Sequence, residues 1–155
     1  MKIGDKVSFK GKTKEGELSS NTLLGKNVVI YFYPKDNTPG CTMESKGFRD
    51  HYEEFLKNNT EIIGVSRDSI KSHCNFIDKH KLNFPLISDD DGALCKLFGV
   101  LKEKSMMGKK YIGIDRSTFL VDSNGILHQE WRDVSVLGHV KAVLTAVSSL
   151  SKDRA

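Results

Sequence analysis

The sequence predicts an α/β domain built on a central mixed β-sheet flanked by helices. Three observations carry that prediction. Val28-Val29-Ile30-Tyr31-Phe32-Tyr33 is an unbroken run of β-branched and aromatic residues of strand length, as expected for a strand buried on both faces. Downstream, short apolar runs alternate with stretches whose apolar residues recur every three or four positions, the sign of helices packed on a sheet. Near the end, Ser117–Val121 and Ile126–Trp131 flank Asp122-Ser123-Asn124-Gly125, where Asn-Gly supplies the positive φ angles of a tight hairpin turn.

Taken in order, residues 1–26 read as a β-rich lead-in. Lys12–Glu17 looks like a hairpin turn between short strands around Val7–Phe9 and Glu17–Leu18, and Ser19–Gly25 like one helical turn closed by glycine. The strand Val28–Tyr33 ends at Pro34. A loop with Pro39 and Gly40 then delivers Cys41 to the start of a helix, whose Phe48, Tyr52, Phe55 and Leu56 form one stripe running to about Asn58. Glu61–Ser66 is a second buried strand. Asp68 or Ser69 caps a helix with Ile70, Cys74 and Ile77 along one stripe. Phe84–Ser88 is a third strand, which Pro85 pushes towards an edge or a strand start. Ala93–Phe98 follows as a short helix with Gly99 at its C-terminal side. A final helix carries Val140, Val143, Leu144, Val147 and Leu150 on one face, and Ser151–Ala155 is expected to fray. No repeat or linker divides the chain, so residues 1–155 are read as one domain.

Composition narrows the function classes. No run approaches the roughly 18 apolar residues of a membrane span, and the first residues lack the apolar stretch of a signal peptide, so a cytoplasmic protein without a membrane partner is expected. The net charge of +4 is mild, and the densest basic stretch, Lys102–Lys110, has no aromatic residue before Tyr111. It is read as a solvated loop, not a nucleic-acid surface. Cys41, Cys74 and Cys95 are odd in number and widely spaced, which is no disulfide framework, and no Cys-x-x-Cys is present. His73, Cys74 and His80 offer three ligand types within eight residues, but Cys74 points about 100° away from its neighbour on a helix and no fourth ligand is at hand, so no metal is expected.

Cys41 stands apart from the other two cysteines. A thiol at a helix N-terminus, where N–H groups and the helix dipole favour negative charge, can titrate well below the free value of about 8.5. The surrounding residues then carry a resemblance. Pro34-Lys35-Asp36-Asn37-Thr38-Pro39-Gly40-Cys41 matches the Pro-x-x-x-Thr/Ser-x-x-Cys pattern of the peroxiredoxins, and Arg116, in Gly113-Ile114-Asp115-Arg116-Ser117-Thr118-Phe119, matches that family's remote arginine. Over nearly its whole length the chain resembles the bacterioferritin comigratory (PrxQ-type) branch. The resemblance implies a thioredoxin-like fold with an N-terminal β-hairpin extension, and thiol-dependent reduction of hydrogen peroxide and organic hydroperoxides without a cofactor. It also implies a monomer and a thioredoxin or similar thiol reductant.

In that reading Cys41 is the nucleophile, Arg116 the cation that favours its thiolate, Thr38 a hydroxyl that orients peroxide, and Pro34 a shield that shapes the loop. Glu44 and Arg49 are candidates for a network positioning Arg116; Tyr33, Phe48 and Trp131 are read as packing. Many members of the branch carry a resolving cysteine five residues after the first, but that position is Lys46 here. In other members it lies on the next helix, where Cys74 stands. Cys41 sulfenic acid condensing with Cys74 is the expected route; Cys95, among Leu94, Leu97 and Phe98, is expected to be core. A one-cysteine cycle using an external thiol, a thiol–disulfide oxidoreductase and a non-catalytic redox sensor stay open as alternatives.

Overall fold

The computed structural model describes residues 1–153. In chain order the elements are β1 (Lys10–Thr13), β2 (Gly16–Ser19), a 3₁₀ turn (Ser20–Leu23), β3 (Asn27–Phe32), α1 (Pro39–Asp50), α2 (Tyr52–Lys57), β4 (Thr60–Ser66), α3 (Ile70–His80), β5 (Leu86–Ser88), α4 (Ala93–Phe98), β6 (Leu101–Met106), β7 (Lys109–Ile114), β8 (Ser117–Val121), β9 (Leu127–Trp131) and α5 (His139–Asp153). Seven strands form one sheet in the order β2-β1-β5-β4-β3-β8-β9, and β6-β7 form a separate pair. Strand β3 is parallel to β4 and antiparallel to β8, so the sheet is mixed, as expected.

Every residue of β3 is buried, and the period-two geometry of a strand explains why an unbroken apolar run is needed there. Val29 and Tyr31, with Tyr33 beyond the strand end, face a core shared with Phe48 of α1, Phe55 of α2, Phe76 of α3 and Val143 of α5. Val28, Ile30 and Phe32 face the opposite core, with Val7 and Phe9 of the lead-in and Leu94, Cys95 and Phe98 of α4. Both faces of the sheet are therefore covered.

Several boundaries differ from the sequence expectation, each for a local reason. The N-terminal hairpin exists, but its first strand starts at Lys10 instead of Val7; Lys6 makes only an isolated bridge to Ile126. The expected helix to Asn58 breaks at His51, whose backbone N–H and ring Nδ1 both bond Gly47 O, at 3.2 and 2.9 Å. The break turns Leu56 outward, off the predicted stripe. Strand β5 starts at Leu86, directly after Pro85, which bears out the strand-start alternative; it lies inside the sheet, not at its edge. The Ser117–Trp131 hairpin forms, but only Gly125 of the Asn-Gly pair has positive φ; Asp122 Oδ1 accepts the N–H groups of Asn124 and Ile126 and shapes a longer turn. Helix α5 continues to Asp153, so the fray does not begin at Ser151; residues 154–155 of that expected tail lie outside the described residues.

Lys102–Lys110 is the largest correction. It is not a loop but most of the β6–β7 hairpin, turned at Met107-Gly108 with φ of 52° and 80°. Positive φ at both turn residues matches the twist of paired strands.

Glycine has a packing role at Gly64 in β4. A Cβ there would lie 2.6 Å from Leu86 Cδ2 and 2.9 Å from Tyr31 Cζ. Gly64→Ala should therefore lower stability by about 1–3 kcal/mol, the usual size of core overpacking, read as a fall in urea midpoint. An unchanged midpoint would show that Tyr31 and Leu86 move aside freely.

Candidate active site

After β3 the chain turns through Tyr33–Asn37 and enters α1. Thr38 occupies the cap position in extended conformation, and its carbonyl accepts the Thr42 N–H at 2.9 Å. Pro39 sits at the first helical position, where its missing N–H costs nothing. Cys41 thus falls in the first turn of α1, on the positive end of the helix dipole, with only 1% of its surface exposed.

Arg116, in the short link between β7 and β8, reaches this turn from 75 residues away. Its Nη2 donates to Cys41 Sγ at 3.4 Å and its Nη1 to Glu44 Oε1 at 2.7 Å. Glu44 lies one helical turn beyond Cys41 and is fully buried, so thiol, guanidinium and carboxylate form one chain of contacts. Gly40 makes room for it: a Cβ at that position would stand 3.2 Å from Arg116 Nη2. A guanidinium cannot give up its proton, so the Cys41 sulfur faces a permanent positive charge.

The carboxylate end is strained electrostatically. Among the described residues Glu44 Oε2 has no hydrogen-bond partner. Burial pushes the Glu44 carboxyl up to about 7, against the opposing pull of Arg116. The same guanidinium reaches His139: burial, and then the Arg116 charge, press that imidazole down to about 4. His139 Nε2 lies 2.7 Å from Thr118 Oγ1, and its ring packs edge-on against Trp131, which accords with a packing role for Trp131.

Pro34 and Thr38 line a groove of about 1120 Å³ together with Lys35 and Arg67 on one side and Lys104, Met106, Tyr111 and Ile112 of the β6–β7 hairpin on the other. The Thr38 hydroxyl donates to Lys35 O at 2.8 Å, leaving its oxygen lone pairs to accept a hydrogen bond. Its side chain makes no cap bond.

Other expected residues fall elsewhere. Arg49 does not join Arg116; it pairs with Asp50 and donates to His80 O. Cys74 lies on α3 and is half-buried, whereas the buried stripe of that helix is His73, Phe76 and Ile77. It is thus more accessible than a core thiol. Cys95 is buried, and burial, then the Asp89 carboxylate, push its thiol far up, away from reactivity. All three thiols are free. Gly40's contact and the buried state of Glu44 were not readable as such in the sequence, although the three-residue spacing from Cys41 to Glu44 is a signal that both share one helix face.

Comparison with known proteins agrees with this geometry. Residues 3–130 match the AhpC/TSA family. Peroxiredoxin Bcp of Bacillus subtilis strain 168 is 49% identical over 154 residues, covering 98% of each chain. The structure of a PrxQ variant from Xylella fastidiosa superposes with a TM-score of 0.92 at 39% identity, covering 97% of this chain and 98% of that one. The bacterioferritin comigratory protein of Xanthomonas campestris, solved in work on its alkyl peroxide reduction activity, gives a TM-score of 0.87 at 47% identity over 92% of each chain.

The buried Glu44 makes stability depend on pH. Its carboxyl titrates higher in the folded chain, about 7, than the ordinary 4.5. The stability it contributes is full below about pH 4.5 and is lost as pH rises through about 7. Thermal melts of the chain and of Glu44→Gln should therefore draw together as pH rises, the advantage of the natural residue shrinking from about pH 4.5 to about 8. A difference that stays flat or widens over that range would place the Glu44 titration elsewhere.

Proposed function

The chain belongs to the AhpC/TSA family, in the Bcp (PrxQ) branch of the peroxiredoxins, and from that premise we propose that it is a thiol-dependent peroxidase working through Cys41, Arg116, Thr38, Pro34 and Cys74. The observation that carries this reading is the Arg116 Nη2 contact to Cys41 Sγ at the N-terminal turn of α1. It joins the two motifs that are farthest apart in the sequence.

In the first step the Cys41 thiolate attacks the terminal oxygen of a hydroperoxide. The O–O bond breaks, the sulfur is oxidised to the sulfenic acid, and the departing alkoxide or hydroxide takes a proton to leave as alcohol or water. The Arg116 fork and the N–H groups of the helix start are placed to take up charge as the O–O bond lengthens. Thr38 accepts the hydrogen bond of the peroxide O–H, and Pro34 closes one side of the entry. The groove beside them has room and apolar wall enough for organic hydroperoxides as well as hydrogen peroxide.

The sulfenic acid then condenses with Cys74: the S–O bond breaks, the S–S bond forms, and the thiol proton leaves with the hydroxyl as water. The partial exposure of Cys74 supports its role over the deeply buried Cys95. A thioredoxin or similar thiol reductant reopens the disulfide, which sets the cycle in a reducing compartment such as the cytoplasm. The reading takes residues 1–155 as one domain acting as a monomer.

Treating the reduced protein with one equivalent of peroxide, blocking free thiols and mapping peptides should recover a Cys41–Cys74 disulfide. Cys74→Ser should still consume its first equivalent of peroxide yet lose thioredoxin-supported turnover, and Cys95→Ser should behave like the natural chain. Full turnover by Cys74→Ser with thioredoxin would move the reading to a one-cysteine cycle.

A further inference from the structure

We propose that Asp36 and His73 are positioning residues for the second step, a polar latch that holds α3 against the peroxide-binding loop and sets how fast Cys74 reaches Cys41. The proposal rests on the reading of Cys74 as the resolving thiol.

His73 and Asp36 are almost wholly buried, with 1% and 2% of their side chains exposed, and lie 2.8 Å apart through Nδ1 and Oδ2. The other ring nitrogen, Nε2, lies 3.0 Å from Ile87 O of β5. Both nitrogens of His73 thus face oxygen acceptors. A backbone carbonyl can only accept, so Nε2 carries a hydrogen. The Asp36 carboxylate already accepts the Tyr33 hydroxyl at 2.5 Å on Oδ1 and the Ser72 hydroxyl at 2.7 Å on Oδ2. Burial works to raise the Asp36 carboxyl, but His73, Tyr33 and Ser72 outweigh it and keep it below its ordinary value. Nδ1 lies within hydrogen-bond distance of Asp36 Oδ2 on the other side. The ring ties two acceptors on different elements together.

Those ties cross between the two halves of the site. Asp36 stands two residues before Thr38, in the loop that leads to Cys41. Ser72 and His73 immediately precede Cys74 on α3, and the Asp36 backbone N–H is held in turn by Asp68 Oδ2 at 2.8 Å. Oxygen and nitrogen atoms of Asp36, Asp68 and His73 also lie within 4.8 Å of one another, but hydrogen-bond donors already occupy the carboxylates, so the cluster carries no cation site. Cys41 is buried against Arg116 while Cys74 faces outward in part. A disulfide needs Cα atoms within about 7 Å, and in the latch reading Cys74 reaches Cys41 when Ile70–Cys74 leaves its seat. The bonds from Asp36 to Ser72 and His73, together with that from His73 Nε2 to Ile87 O, are among those that motion must break. Closed, the latch keeps the loop and Thr38 in order for peroxide; open, it releases Cys74.

Two substitutions separate the bonds. The Gln amide in His73→Gln reproduces the Nε2 donor to Ile87 O and drops the bond to Asp36, whereas the amide in His73→Asn reproduces Nδ1 and keeps it. Rapid mixing of the full chain with hydrogen peroxide, acid quench and mass analysis reads Cys41 oxidation, the Cys41–Cys74 disulfide and over-oxidation to sulfinic acid in one series. His73→Gln should raise the rate of disulfide formation relative to Cys41 oxidation by roughly tenfold, the factor set by losing about one net hydrogen bond, and should raise the peroxide dose that over-oxidises Cys41. His73→Asn should stay near the natural ratio, and Ser72→Ala, a milder change on the same carboxylate, should rise in the same direction. A ratio for His73→Gln at or below the natural one, or equal behaviour of Gln and Asn, would overturn the latch. If no disulfide forms in the natural chain, the resolving role of Cys74 fails on its own. The latch is then read from amide exchange of residues 70–74, which must quicken in His73→Gln and not in His73→Asn; no difference there overturns it as well.

Discussion

A sulfur buried beside a guanidinium that is itself bonded to a buried carboxylate is an arrangement the rest of this fold has to hold in place. Charge in a low-dielectric site is costly unless it is paired with good geometry, and here the pairing spans the molecule. Cys41 and Glu44 come from the start of α1, while Arg116 comes from the link before β8. Their meeting depends on β3 lying directly between β4 and β8, so that the loop leaving the end of β3 and the link entering β8 emerge at the same end of the sheet. Gly40 then allows the guanidinium to approach the helix closely.

The loop that precedes Cys41 is fixed from below as well as from above. Tyr31 and Tyr33 leave β3 on the same face; one bonds Ser45 of α1 and the other Asp36 of the loop. These hydroxyls sit at the polar ends of rings otherwise immersed in the aromatic core with Phe48 and Phe84. Packing energy and site geometry therefore share the same residues. The Asp36–His73 contact extends that link to α3, which carries the second thiol. A helix with an apolar anchor at Phe76 and Ile77 and a polar anchor at His73 can be rigid in one state and detachable at its first turns in another.

Much of this was legible in the sequence because strong local signals agreed with long-range ones. The apolar run at Val28–Tyr33 could only be a central strand, and the Pro34–Cys41 and Gly113–Phe119 motifs pointed to the two sides of one site. The rest was not legible because it depends on contacts that periodicity does not encode. The β6–β7 hairpin looks like a loop in the sequence because Lys102, Lys104, Lys109 and Lys110 are poor strand formers and Met107-Gly108 is not a usual turn pair. It is nevertheless one wall of the groove. In the sequence His73 suggests only a metal ligand, since nothing in its neighbours announces a carboxylate 37 residues upstream. Arg49 carries the same charge as Arg116 and lies closer to Cys41 in sequence, yet its helix face directs it to His80.

The pairing of Arg116 with the Cys41 sulfur is the claim on which the catalytic account stands, and a single-turnover stopped-flow measurement tests it most directly. The second-order rate constant for oxidation of Cys41 by hydrogen peroxide should fall by about 100-fold or more in Arg116→Gln at neutral pH, the order of loss seen when one preorganised charge-stabilising donor is removed. A rate constant within about threefold of the natural chain, in a variant that folds with an unchanged melting profile, would contradict it.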